Sequence, residues 1–185
     1  GLAGRRLVSV GGQGYQIDDW LHEAFVQSGP TEWRDRSAMP GVSVDASRVT
    51  ITSGNARVTV NRAGGRWGLT APVGARGSDQ AVEALLGLLS QAGVSRFYDD
   101  APSDDVTGLD EPLASVRVER DLQIPTGAEM RRVTESVTLE IGGPTDTTRK
   151  SLYARVTIDT ALEGAPRGQA IVAVSLDEFN RINPS

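Results

Sequence analysis

Along residues 48–70, apolar and polar side chains take turns: Val49 and Ile51, then Val58 and Val60, then Trp67 and Leu69 occupy every second position. A period of two sets one apolar face against a core and one polar face in water. Ser53-Gly54-Asn55 and Ala63-Gly64-Gly65 supply residues that tolerate positive φ in tight turns. The pattern predicts a three-stranded meander. After the break at 72–77 the period changes. Val82, Leu85, Leu86 and Leu89 fall at i, i+3, i+4 and i+7, widened by Ala81, Ala84 and Leu88. The spacing predicts a helix over 79–91, capped by Ser78 or Asp79 and stopped by Gly93. Residues 94–98 return to a strand, and further alternation follows at 115–120, 136–141, 152–158 and 170–174. The fold class expected is α+β, an antiparallel sheet with one main helix, 79–91, packed across it.

The N-terminal stretch reads as a small strand–helix lobe. Residues 7–10 and 15–17 are strand-like, and Trp20, Leu21, Ala24 and Phe25 mark an apolar stripe on a helix over 18–27. A similar strand-then-acidic-helix ending recurs at 171–179. The expected domains are therefore residues 1–40, the tail of a preceding repeat-like unit, and residues 42–185, one complete unit.

Composition narrows the functional classes. The 185 residues carry a net charge of −5, and basic residues never form a run of five. A phosphate backbone needs a concentrated positive field, so nucleic acid is not an expected partner. Lys150 is the single lysine among 19 basic residues, which reads as genomic base bias. The absence of cysteine removes disulfides, thiolate metal sites and cysteine nucleophiles. The longest uncharged apolar run, 84–95, is broken by Gly87 and Gly93 and falls short of the ~18–20 residues of a membrane span. A start at Gly1 reads as an excised fragment, with any membrane anchor lying upstream.

Four places resemble the bacterial family called domain of unknown function 4340. Trp67-Gly68-Leu69-Thr70-Ala71-Pro72 looks like its tryptophan-x-leucine-x-x-proline strand end, with the helix after that proline at 79–91. Gly108-Leu109-Asp110-Glu111-Pro112 is similar to its glycine-leucine-x-x-proline turn. Ile141-Gly142 followed by Tyr153-Ala154-Arg155 resembles its closing strand pair, and Arg34-Asp35-Arg36 the segment between two family units. The resemblance covers roughly 33–180, and 121–135 stands out as longer than the family pattern. It implies an extracytoplasmic, periplasmic-side location behind an N-terminal membrane helix. It also implies protein partners among ABC-type transport or gliding-motility subunits. No reaction and no cofactor come with it.

Residue by residue, catalytic signals are thin. The acidic run Asp99, Asp100, Asp104, Asp105, Asp110 and Glu111 offers hard oxygens for calcium. It lacks the alternating acids and central glycine of a calcium loop, so solvated charge is expected and no metal site. His22 is the single histidine and has no glycine-x-serine-x-glycine elbow beside it. Gly11-Gly12-Gln13-Gly14 lacks the third glycine of a dinucleotide fingerprint and reads as a hairpin turn. Trp20, Trp33 and Trp67 raise a stacking platform; Trp20 and Trp67 are in phase with core positions, leaving Trp33 as the exposed candidate. Trp33, Arg34, Asp35 and Arg36 are the candidate interaction residues, the charged three serving equally as an ion-pair joint between lobes. The function expected is a non-enzymatic accessory or scaffold domain. The alternatives are a ligand-binding module for an envelope glycan, peptide or small solute, and, more remotely, a hydrolase.

Overall fold

A computed structural model describes residues 4–10, 12–27, 34–126, 129–162 and 167–182. The chain divides into two compact units, Gly1–Asp35 and Arg36–Ser185. In the first, β1 (Arg5–Val10) and β2 (Gln13–Asp18) form an antiparallel hairpin that leads directly into α1 (Asp19–Gln27). Gly12 sits at φ 83° between the paired Val10 and Gln13, a left-handed conformation that glycine adopts without penalty. Gly12 thus takes the turn of the hairpin, and Gly14 lies within β2. The Asp19 amide donates to the Gly4 carbonyl at 2.9 Å, and the Arg6 guanidinium donates to its carboxylate at 2.8 Å. Trp20 departs from the expected packed stripe, with 68% of its surface exposed. One hairpin and one short helix offer too little apolar surface to cover an indole.

The second unit is dominated by a single sheet. Its strands are β3 (Arg48–Ser53), β4 (Ala56–Ala63), β5 (Arg66–Ala71), β6 (Ala75–Arg76), β7 (Val94–Tyr98), β8 (Ala114–Thr126), β9 (Glu129–Pro144), β10 (Ser151–Thr160) and β11 (Gly168–Ser175). They lie in the order β6-β5-β4-β3-β8-β9-β10-β11-β7, every neighbour antiparallel. The helices are α2 (Asp79–Gln91), α3 (Asp104–Thr107) and α4 (Leu176–Ile182).

Alternation sorts the two faces. Val49, Trp67, Val116, Val118, Leu139, Ile141, Ala154, Val156 and Val172 share one hydrophobic cluster with Val82, Leu86 and Leu89 of α2. Fully burying a leucine of this kind contributes roughly 1.5–3 kcal/mol. Ala38 and Met39 belong to the same cluster and are fully buried, which is why this unit begins at Arg36 rather than near residue 42.

α2 begins where a polar side chain can satisfy its free amides. The Ser78 hydroxyl accepts from the Ala81 amide at 3.3 Å. The Asp79 carboxylate reaches sideways to accept the Trp67 amide at 2.8 Å, tying the helix start to β5. The other end differs from expectation. Ala92 leaves the helix in an extended conformation, its amide bonded to the Leu89 carbonyl, so no left-handed glycine is needed. Gly93 instead bridges to Ser37.

Within the long segment 121–135, residues 121–126 and 129–135 continue the β8–β9 ladder. β8 and β9 pair from Ala114↔Ile141 to Thr126↔Glu129, whereas β3 follows β8 only to Glu119 and β10 follows β9 only to Glu135. Beyond those points the two strands pair with each other alone among the described residues. They form a ribbon about 20 Å long, at ~3.3 Å per residue. Pro125 is tolerated there because each strand of a ribbon has an outer edge that needs no ladder donor.

Candidate functional site

The polar positions of the meander meet on the sheet face opposite the core. Arg48 pairs in register with Asn61 on one side and Glu119 on the other, and Thr50 with Thr59 and Arg117. The Arg48 guanidinium donates from Nε to Asn61 Oδ1 at 2.8 Å and from Nη1 to Glu119 Oε2 at 3.3 Å. Arg117 donates from Nε to Glu119 Oε1 at 2.9 Å. The Asn61 amide donates to the Thr70 hydroxyl at 3.4 Å. With Arg57 these residues line a depression of about 390 Å³ in which three arginines face one glutamate. Each guanidinium keeps donors pointing away from its anchor, since arginine carries five N–H bonds in a fixed fork. Alternation alone assigns these residues to the wet side of the strands and does not mark them as a group. The signal was there: Arg48, Arg57 and Arg117 all sit in the polar phase of paired strands.

A second concavity lies on the core face at the root of the ribbon. Arg120 Nη2 meets Glu135 Oε2 at 2.6 Å, and the Thr160 hydroxyl donates to Glu135 Oε1 at 3.2 Å, forming a polar row across β8, β9 and β10. Val42, Ala46, Val118, Val137 and Ile158 supply its apolar walls, enclosing about 200 Å³.

The family-like motif residues collect at a third place. α3 ends at Gly108, whose φ of 69° is left-handed, and the turn delivers Leu109 against β9. An added Cβ on Gly142 would lie 3.1 Å from Leu109 Cγ, so the two motifs touch. Arg155, opposite Glu140 on β10, donates to the Leu109 carbonyl at 3.4 Å and to Glu140 at 3.1 Å, and pairs with Asp104 at 2.5 Å. Burial works to pull the Arg155 pKa down, but the bonds and charges of Asp104 and Glu140 outweigh it and leave the guanidinium above its ordinary value. Asp104 is thus part of a joint although exposed, and Asp99, Asp100, Asp105, Asp110 and Glu111 are exposed as well. Tyr153, two residues before, sets its ring 5.1 Å from that of Tyr98. Four motif residues (Gly108, Leu109, Gly142 and Arg155) therefore form one structural corner.

The remaining candidates are dispersed. Trp67 is buried on β5 with Leu69 half-buried beside it, Pro72 is exposed just past the strand, and Pro112 is half-buried. Trp33 lies outside the described residues. Arg34, Asp35 and Arg36 are exposed at the division between units, and the Arg36 carbonyl accepts from the Val94 amide at 2.7 Å. His22 is half-buried on α1. Among the described residues, no group of three or more His, Asp or Glu is arranged to hold a metal ion, and no helix is long and apolar enough to cross a membrane. No protein-family model, curated protein or solved structure matches this chain.

Proposed function

We propose that this chain is a non-enzymatic, extracytoplasmic accessory or scaffold domain, akin to the domain of unknown function 4340 family, that contacts subunits of a transport or motility complex. The β8–β9 ribbon carries the reading. Past Glu119 and Glu135 each of its strands presents an outer row of backbone N–H and C=O groups to which a partner's strand can add. Exposed Arg131 and Arg132 beside Met130, itself 61% exposed, give that edge charge to oppose self-pairing and apolar surface to reward a fitted partner. In this reading α2 is the one main helix packed on the sheet, and it stiffens the base from which the ribbon projects.

The test is affinity capture from the source membrane, comparing the native protein with a variant whose residues 122–133 are replaced by an Asn-Gly turn. The native protein is expected to bring down membrane-complex subunits and the shortened one to lose them, with thermal melting of both showing that the sheet persists. Equal capture by the two, or no such subunit with either, counts against the reading. The cleft at the ribbon root favours one second reading, a ligand-binding module for an envelope glycan, peptide or small solute. A thermal-shift screen of such compounds that finds no stabilising ligand removes it.

A further inference from the structure

We propose that the open sheet face binds a phosphate group, held by Arg48, Arg57 and Arg117 with help from threonine hydroxyls. The depression is lined by three arginines and one carboxylate on a chain whose net charge is −5, so the positive excess is local and not a reflection of general basicity. Glu119 is already engaged by two of the guanidiniums, one on each oxygen. Those two bonds orient Arg48 and Arg117 without exhausting their donors, while Arg57 makes no ion pair among the described residues. Guanidinium forks match the oxygen pairs of a phosphate better than any other side chain, and bonds between two charged groups are the strong ones.

The hydroxyl geometry points the same way. Thr50 and Thr59 face each other across β3 and β4 with their oxygens 3.5 Å apart, while Thr70 on β5 donates to the Thr59 carbonyl at 3.2 Å and braces the row. A hydroxyl can turn to donate to an incoming anion. All these side chains stand on neighbouring strands in fixed register, so the constellation is held by the sheet rather than by a loop. The shared chemistry is a phosphate, whether free in solution or presented by a lipid headgroup.

The probes are inorganic phosphate and pyrophosphate, followed by two-dimensional NMR of the intact chain. Saturable shifts are expected at the backbone amides of Arg48, Arg57, Thr59 and Arg117 and at the Nε–H signals of the three arginines, shrinking as salt is raised. Arg57→Ala, an exposed change with no folding role, and Arg117→Ala are each expected to weaken binding about tenfold, the loss of one charge-assisted bond. Glu119→Gln is expected to tighten it by removing a repelling charge. Arg131→Ala lowers net charge equally but lies on the ribbon, and is expected to leave affinity unchanged. Sedimentation with phosphatidylcholine vesicles containing phosphatidic acid separates the sources. Binding there that is lost in Arg57→Ala assigns a headgroup, and binding of the soluble anions alone assigns a free phosphate. The proposal is overturned if neither anion nor vesicle binds, if the shifts fall elsewhere, or if Arg131→Ala weakens binding as much as Arg57→Ala.

Discussion

Replacing Gly142 by alanine isolates the packing of the motif corner in a single methyl group. Gly142 lies in the irregular stretch of β9 where the register with β10 shifts between Leu152 and Ala154. A Cβ built there would stand 2.3 Å from the Thr107 carbonyl oxygen and 3.1–3.2 Å from two carbons of Leu109, against ordinary contact beginning near 3.4 Å. Relief requires α3 and β9 to part by roughly 1 Å, in a core whose density resists such strain. Thr107 cannot easily yield, since it is fully buried and its hydroxyl is bonded to the Ser103 and Asp104 carbonyls. Overpacking of this kind costs about 1–3 kcal/mol, and a clash with backbone belongs at the upper end. For a domain of this size each kcal/mol is worth roughly 2–4 °C, so a fall of about 6–12 °C in Tm is expected by far-UV circular dichroism. Gly143→Ala is the control, because its nearest contact would be 3.6 Å away. It is expected to change stability by no more than about 0.5 kcal/mol. Equal melting of the Gly142 variant and wild type, or an equal fall in both variants, would refute the reasoning.

Arg155→Met removes the cation from between Glu140 and Asp104 and leaves the half-buried Glu140 without its partner. A loss of about 2–3 kcal/mol is expected in urea denaturation, with Arg155→Lys recovering only part because an ammonium cannot span both carboxylates as a fork does; full stability of the Met variant would contradict it. In the β9–β10 turn, Asp146 titrates below the ordinary 3.8, chiefly because the Thr148 hydroxyl donates to its carboxylate at 2.6 Å. A depressed folded-state pKa adds stability above the unfolded value and loses it as pH falls through the folded one, so this turn is expected to loosen below about pH 3.8. Carboxyl ¹³C titration should show Thr148→Val moving Asp146 back up, and a wild-type Asp146 titrating at or above 3.8 would contradict the assignment.

Local pattern carried much of the architecture. Period-two alternation marked β3, β4 and β5, and the leucine spacing marked α2 from Asp79 to Gln91, because β3, β5 and α2 each turn apolar positions into the core, although β4 buries no residue fully and Val58 stays exposed. The ribbon was not legible. Leu122, Ile124 and Val133 alternate weakly and Pro125 argues against a strand, yet the partner strand supplies the order that composition does not. α3 was hidden within an acidic stretch, where a four-residue helix is too short to show a period. The arginine–threonine face was only partly legible, for a different reason. Arg48, Arg57 and the threonines share the meander's polar phase, but Arg117 and Glu119 come from a strand dozens of residues later, and only the register of β3 with β8 brings Arg48 beside Glu119.

That register has a kinetic side. β3 through β6 are neighbours both along the chain and in the sheet, as are β8 through β11, so each set closes its hydrogen bonds locally. Arg48↔Glu119 and its neighbours join the halves across a long stretch of chain, and β7 crosses to the far border to meet β11. Closing long loops is entropically unfavourable until the contacts they enable are made, so the two halves assemble first and zip along this seam last. Pulsed hydrogen exchange at Val49 and Val118, core neighbours on either side of the join, reads that order directly: protection there should lag behind protection within either half.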